Sequence, residues 1–328
     1  MRDLDHLLNA LRAVAEPTRL RLLALGTQGE LSVSELTRIL GQSQPRVSRH
    51  LKLMVDAGLM ERFREGSWVF YRLATAGPAR ELARRIEDML PRDDAQIALD
   101  RQRLEDIRAA HAEQAMAYFR DNAARWDEIR SLHVDDAEVE SLLVERLRPA
   151  VAARMLDVGT GTGRMLELFG PYLEEGVGVD GSRDMLKVAR ANLDRADLGH
   201  CRVRQGSILH LPVESGSFDL VTIHQVLHYV EDPTSALREA ARTLAPGGRL
   251  AVVDFAPHEL ETLRTDHNHR RLGFADREVE DWMAGAGLVP QDTVHLPGEP
   301  LTVVIWLAAR AASRTRPAVP ETERRIAQ

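Results

Sequence analysis

Between Leu31 and Leu73 the apolar positions change period twice. Val47, Leu51, Met54 and Val55 fall at i, i+4, i+7 and i+8, which predicts a helix with one buried stripe. Leu59–Arg64 and Trp68–Leu73 instead predict two strands around Glu65-Gly66-Ser67. Upstream, Ser32 and Glu35 have the spacing of a capping box, predicting a helix from there to about Leu40 that Gly41 stops. Pro45 sits in the first turn of the following helix, where its missing N–H costs nothing. Residues 92–148 hold neither Gly nor Pro and predict long helix. From Val151 to about Arg310 apolar runs alternate with amphipathic stretches and Gly-rich turns, the pattern of a parallel α/β sheet. The tail, residues 311–328, is polar with Pro317 and Pro320 and is expected to be disordered.

Composition narrows the class. The 328 residues suggest about two domains, and the 44% hydrophobic share is enough for real cores. No run of 18 apolar residues predicts a membrane-spanning helix, and the N-terminus lacks a secretory layout, so a cytoplasmic location with no membrane partner is expected. A single cysteine, Cys201, excludes a disulfide scaffold and a multi-thiolate metal site. Charge is uneven: residues 1–77 carry a net +3 and the remainder a net −10. Nucleic-acid contact is therefore expected through the head only.

Two helices joined by a tight Gly-containing turn, the second exposing basic and amide groups, describe a helix-turn-helix, and the hairpin after it is a wing. Ser43, Gln44, Arg46, Ser48, Arg49, His50 and Lys52 occupy the non-apolar surface of the second helix. Gln44, Arg46 and Arg49 suit base edges; Arg62, Arg64 and Arg72 on the hairpin suit phosphates. Residues 5–77, above all GQSQPRVSRHLKLMVDAGLMERFREGSWVFYRL, resemble the ArsR-type family of dimeric winged-helix repressors. The resemblance implies operator DNA as partner and a homodimer formed through helices flanking the winged domain, in residues 78–148. Arsenic-sensing members carry paired cysteines where this chain has Ser32 and Ser34, so no metal site is expected there.

In the body, Met155–Val158 predicts a strand that runs directly into Gly159-Thr160-Gly161-Thr162-Gly163, with a helix opening at Arg164. Such glycines let backbone approach a ligand closely. A second strand ends at Asp180, suited to paired ribose hydroxyls. A dinucleotide site would want glycine where Arg164 stands; the loop is GxGxG. It resembles the first motif of class I S-adenosylmethionine-dependent methyltransferases, whose loop wraps the amino-acid end of the cofactor. Later segments match that family in order: Val179–Leu186, Arg204–Leu209, Ser217–His224 and Leu244–Asp254. The resemblance covers about residues 151–308. It implies a Rossmann-like, seven-stranded domain over 149–310 that binds S-adenosylmethionine or S-adenosylhomocysteine. Asp157, Gly159, Thr160, Gly161, Gly163, Asp180, Gly181, Ser182, Met185, Gly206, Ser207, Ile208 and His224 are its implied cofactor residues. Ser207 stands where the family often has an adenine-binding Asp.

Methyl transfer from a sulfonium needs placement of the acceptor, and a base only for a protonated one. Candidates beyond the strand ends are His224, Gln225, His228, Asp254 and His258, with His228, His224 and Asp254 the leading catalytic candidates; His224 and His228 are equally readable as ordinary polar residues at a helix edge. Tyr118, Phe119 and Trp126 read as core aromatics or as a lid near a cation. His258, His267 and His269 lie among arginines, which favours an acceptor pocket or an interdomain contact over a metal. The whole reads as an α/β chain: an N-terminal winged helix-turn-helix (1–77), connecting helices (78–148) and a methyltransferase-like body. Its function is either a transcriptional regulator with an S-adenosyl effector, or a small-molecule methyltransferase with an autoregulatory head. A base-modifying enzyme is disfavoured, because the fourth strand ends without an Asn/Asp-Pro-Pro-aromatic run.

Overall fold

The computed structural model describes residues 4–65, 68–74, 78–91, 93–123, 136–147 and 153–312. They fall into two compact units. The first comprises Met1–Asn122, His228–Asp232 and Pro257–Phe274; the second comprises Ala123–Leu227, Pro233–Ala256 and Ala275–Gln328.

The first unit is built from α1 (Leu4–Val14), α2 (Pro17–Gly26), β1 (Leu31–Ser32), α3 (Val33–Leu40), α4 (Gln44–Asp56), β2 (Met60–Glu65), β3 (Trp68–Leu73), α5 (Pro78–Met89) and α6 (Ala95–Asn122). The capping box forms. The Ser32 hydroxyl accepts from Glu35 N–H at 3.2 Å, and the Glu35 carboxylate accepts from Ser32 N–H at 2.7 Å. Gly41, in the left-handed region at φ 66°, ends α3 as the sequence predicts. The three strands run antiparallel in the order β1-β3-β2. Leu22, Leu36, Ile39, Val47, Leu51 and Met54 are fully buried in one core.

Of the stretch 92–148 predicted as long helix, the described residues form α6 and α7 (Asp136–Leu147), which belong to different units. Residues 124–135, with Trp126, lie outside the described residues, as does most of the 311–328 tail. Helix α6 is part of the winged-helix core. Leu104 and Ile107 are buried in it. Asp100 takes a bidentate pair from Arg21 (2.5 and 2.7 Å), and Arg103 caps the C-terminal turn of α3 through Ile39 O at 2.8 Å.

The second unit holds α7, β4 (Ala153–Val158), α8 (Arg164–Phe169), β5 (Leu173–Asp180), α9 (Arg183–Arg195), β6 (Cys201–Gln205), β7 (Phe218–His224), α10 (Pro233–Thr243) and β8 (Leu244–Phe255). After α11 (Thr262–His267), which folds with the first unit, come α12 (Asp276–Gly285), β9 (Leu288–Leu296) and β10 (Val303–Arg310). Its sheet has the order β6-β5-β4-β7-β8-β10-β9, parallel except for β10, which is antiparallel to both neighbours. This is the Rossmann-like, seven-stranded α/β layout the sequence implied. The chain winds outward from β4 in one direction, then returns to β7 and winds in the other. The β4/β7 boundary is thus the switch point where an open sheet forms a crevice at its carboxyl edge. Strand interiors are apolar: Leu156, Val158, Val221, Ile223 and Val252 are fully buried, as a sheet covered on both faces requires.

Candidate functional site

The surface of α4 follows from its stripe. With Val47, Leu51 and Met54 turned inward, Ser43, Gln44, Arg46, Arg49 and Lys52 are exposed and Ser48 is half-buried. His50 is half-buried with Nδ1 3.6 Å from the Glu16 carboxylate at the start of α2. Arg62 and Arg64 are exposed on β2. Arg72 departs from the expectation of a phosphate contact. It pairs with Glu30 at 2.8 Å and Glu61 at 3.1 Å and lies over the Phe63 ring. Strand parity separates the arginines: Arg72 is opposite Glu61 and shares its face with Phe63 and Phe70, whereas Arg62 and Arg64 share the other face with Tyr71 and Val69.

The carboxyl edge of the second sheet is organised by the glycine loop. Gly159, Gly161 and Gly163 have φ of 72°, 53° and 89°, which glycine alone adopts without strain. Gly159 and Thr160 N–H both donate to Val179 O, at 2.7 and 3.1 Å, tying the loop to β5. A side chain at Gly159 would strike Val226, and one at Gly178 would strike Thr160, so the loop is seated where only bare backbone fits. The Thr160 hydroxyl is buried and has no hydrogen-bond partner among the described residues.

Asp180 joins two loops. One oxygen accepts from Gly161 N–H at 2.9 Å and the other from Ser182 N–H at 2.7 Å, leaving each a further lone pair. Burial pushes its carboxyl above the usual range, and those two donors pull part of the way back. Ser182 and Met185 are buried: the Ser182 hydroxyl caps α9 by accepting from Met185 N–H at 3.3 Å. Asp157 is buried and accepts from the Thr222 hydroxyl at 2.7 Å. Gly206 N–H donates to Asp180 O at 3.0 Å, which brings the β6 loop to the same edge; Ser207 there is exposed and Ile208 half-buried. Gly181 is half-buried beside Asp180.

Arg164 replaces the glycine of a dinucleotide loop for a reason the sequence hid. It forms a bidentate pair with Glu140 of α7 (2.7 and 2.5 Å), reaches Glu167 at 3.3 Å, and so fastens α7 to the loop-bearing helix. Those carboxylates hold its guanidinium charge even more firmly than usual.

The candidate catalytic groups are assigned to different units. His224 is half-buried at the carboxyl end of β7, in the second unit. Asp254 is fully buried near the end of β8, its carboxylate accepting from Phe255 N–H at 2.9 Å. His228 folds with the first unit, where it is buried, stacks on His269 at 4.0 Å and accepts through its carbonyl from Arg270 and Arg271 N–H. There His267 Nδ1 shares a hydrogen bond of 2.8 Å with the Tyr118 hydroxyl, and Phe119 meets Tyr229 edge-on at 4.8 Å. His258 N–H donates to Leu272 O at 3.0 Å. Burial lifts the Tyr118 phenol to about 12. Among the described residues no group of three or more His, Cys, Asp or Glu side chains is placed to hold a metal.

From the sequence, Gln225 is only one of several polar groups beyond the strand ends. It follows β7 directly, has φ 53°, is only 7% exposed, and its Nε2 has no hydrogen-bond partner among the described residues. Nothing in the local sequence signals that backbone.

Comparison with known proteins agrees with both halves. Residues 16–62 match the family model for bacterial regulatory proteins of the arsR family, and residues 156–252 match that for a methyltransferase domain. A stretch of 125 residues is 33% identical to the uncharacterized methyltransferase YcgJ of Bacillus subtilis, covering 38% of this chain and 49% of that protein. Another of 114 residues is 40% identical to the demethylmenaquinone methyltransferase of Listeria welshimeri, covering 33% and 47%. The chain thus spans about half the length of these relatives. A chain of the solved complex of the Haloferax volcanii Trm112 methyltransferase activator shares the fold, with a TM-score of 0.51 at 19% identity over 59% of this chain and 97% of that one.

Proposed function

We propose that this chain is a transcriptional regulator, of repressor type, whose second unit binds S-adenosylmethionine or S-adenosylhomocysteine as an effector. The residues fit such a nucleoside. Three left-handed glycines clear side chains from the end of β4, and Asp180 offers lone pairs to ribose hydroxyls at the end of β5. The Gly206–Ile208 loop flanks the same edge. When bound, the sulfonium form supplies an activated methyl group. The exposed row Ser43, Gln44, Arg46, Arg49 and Lys52 reads operator DNA, with Arg62 and Arg64 on phosphates. A homodimer supplies two such rows for a palindromic operator. Leu4, Leu8 and Leu11 are exposed on one face of α1, an apolar stripe suited to a second copy. A cytoplasmic setting accords with this role, and no helix among the described residues is long and apolar enough to cross a membrane.

One observation favours an effector over a purely catalytic role. The loops leaving β7 and β8, at the crevice edge, run into segments that fold with the winged helix. In that unit Arg271, from the loop after β8, and Arg72, from the wing, share the Glu30 carboxylate. Arg270 lies 3.7 Å from Glu35 of the α3 capping box. A ligand that binds one arrangement of these loops more tightly than another thereby biases the DNA-reading unit.

The second reading, a small-molecule methyltransferase with an autoregulatory head, draws on His224 at the end of β7 and on the methyltransferase relatives. Operator binding titrated separately with the methylated and demethylated compounds decides. A clear difference in DNA affinity supports the effector; no difference, with turnover on a metabolite, supports the enzyme.

A further inference from the structure

Gln225 is costly as the fold leaves it. A non-glycine residue in the left-handed region is strained by its Cβ. A buried amide N–H without a partner forfeits its solvation as well. Outliers that persist at such cost cluster where a ligand is handled. Its position is specific as well. It is the first residue beyond β7, at the switch point, with its N–H fixed to Val253 O at 2.7 Å. The next residue, Val226, fills the space that a side chain on Gly159 would need, so the Gln225 loop abuts the glycine loop.

We infer that Gln225 is a ligand-reading residue whose side-chain amide donates to the amino-acid carboxylate of the bound S-adenosyl compound. This rests on the nucleoside reading of the crevice and deepens it. Nε2 is a donor only, so it matches a carboxylate and not an ammonium or a sulfonium. Asp180, at the end of β5, repels a carboxylate and attracts hydroxyls. Two strand spacings, about 10 Å, separate β5 from β7. The two residues therefore sort the ends of one molecule: ribose at Asp180, carboxylate at Gln225.

The test measures calorimetric binding of S-adenosylhomocysteine and of its decarboxylated analogue, which keeps the nucleoside, thioether and amine, to the full chain. Gln225→Met keeps the length and removes the donor. Gln225→Glu keeps the shape and adds a repelling charge. Wild type is expected to prefer the carboxylated ligand. Gln225→Met should lose about 10- to 100-fold for S-adenosylhomocysteine and under threefold for the analogue. Gln225→Glu should lose more of the former. Because Met removes an unsatisfied buried donor, the ligand-free variant should melt at or above the wild-type temperature. Equal losses for both ligands, unchanged S-adenosylhomocysteine binding, or a lowered melting temperature in ligand-free Gln225→Met would overturn the assignment. Binding of neither ligand by wild type would instead fell the nucleoside reading itself, and the inference with it.

Discussion

Two polar clusters, one in each unit, treat their charges in opposite ways. Around Glu30 every partner is protein: Arg72 and Arg271 converge on its carboxylate, and Arg271 also lies over the rings of Phe63 and Phe274. At the carboxyl edge of the large sheet, polar groups are left with capacity. Asp180 holds two backbone donors and keeps lone pairs, while Gln225 Nε2 and Thr160 Oγ1 lack partners among the described residues. Buried polar groups are normally paired, because leaving one unmade forfeits solvation for nothing. A cluster that pairs its members within the protein holds a structure together; one that does not is built to be completed by something else.

The largest expected effect breaks the open cluster. Asp180→Ala removes both the proposed ribose partner and the anchor of Gly161 and Ser182. Affinity for S-adenosylhomocysteine should fall about 100-fold by calorimetry, with the fold retained by circular dichroism. Unchanged affinity would refute the crevice. The paired cluster should behave in reverse. Glu30→Ala leaves two guanidiniums facing each other over a hole. Both partners are partly solvated, so the cost is about 1–3 kcal/mol in urea unfolding, below that of a fully buried pair. Ligand affinity should not change. A ligand defect without a stability defect would erase the distinction between the clusters.

Smaller, and confined to DNA, is the effect of Arg46→Ala or Arg49→Ala. Each should weaken operator binding about tenfold or more and relax sequence preference. Arg64→Ala should weaken all sequences alike and flatten the salt dependence. Arg72→Ala, by contrast, should lower stability more than phosphate affinity. A gel-shift series at several salt concentrations reads all four. Equal behaviour of Arg64→Ala and Arg72→Ala would mean that strand parity does not divide the wing.

Local features were the legible ones. The Ser32/Glu35 box, the Gly41 stop and the α4 stripe each depend on residues within one or two turns, and sequence spacing fixes them. The glycine loop and Asp180 were readable because a strand end, a bare-backbone turn and an acid occur at set intervals. The pairing of Arg72 with Glu61 follows once the hairpin register is known, but its pairing with Glu30 could not be read. Glu140 as the partner of Arg164, and Arg271 as the partner of Glu30, could not be read. They stand 24 and 241 positions apart, and nothing short-range couples them. The return of residues 257–274 to the winged-helix unit is of the same kind. Gln225 was one candidate among several, and its left-handed backbone stayed hidden because side-chain identity does not announce one.

The smallest effect concerns a group buried with neither an ion partner nor a ligand role. Cys201 opens β6 with its sulfur packed where a side chain on Gly176 would stand. Burial raises its thiol to about 11. In the unfolded chain the thiol ionises near its ordinary 9.0, before the native one does. Whatever the neutral thiol contributes to stability is therefore whole below about pH 9 and fades as pH climbs toward 11. Urea midpoints measured from pH 8 to 11 should decline more shallowly in Cys201→Ala than in wild type. At pH 8 the native thiol should react with iodoacetamide far more slowly than the urea-unfolded one. A native rate equal to the unfolded rate would place Cys201 with the open cluster, as a group presented to solvent for chemistry, and would remove burial alone as a sufficient reason for a shifted titration in this sheet.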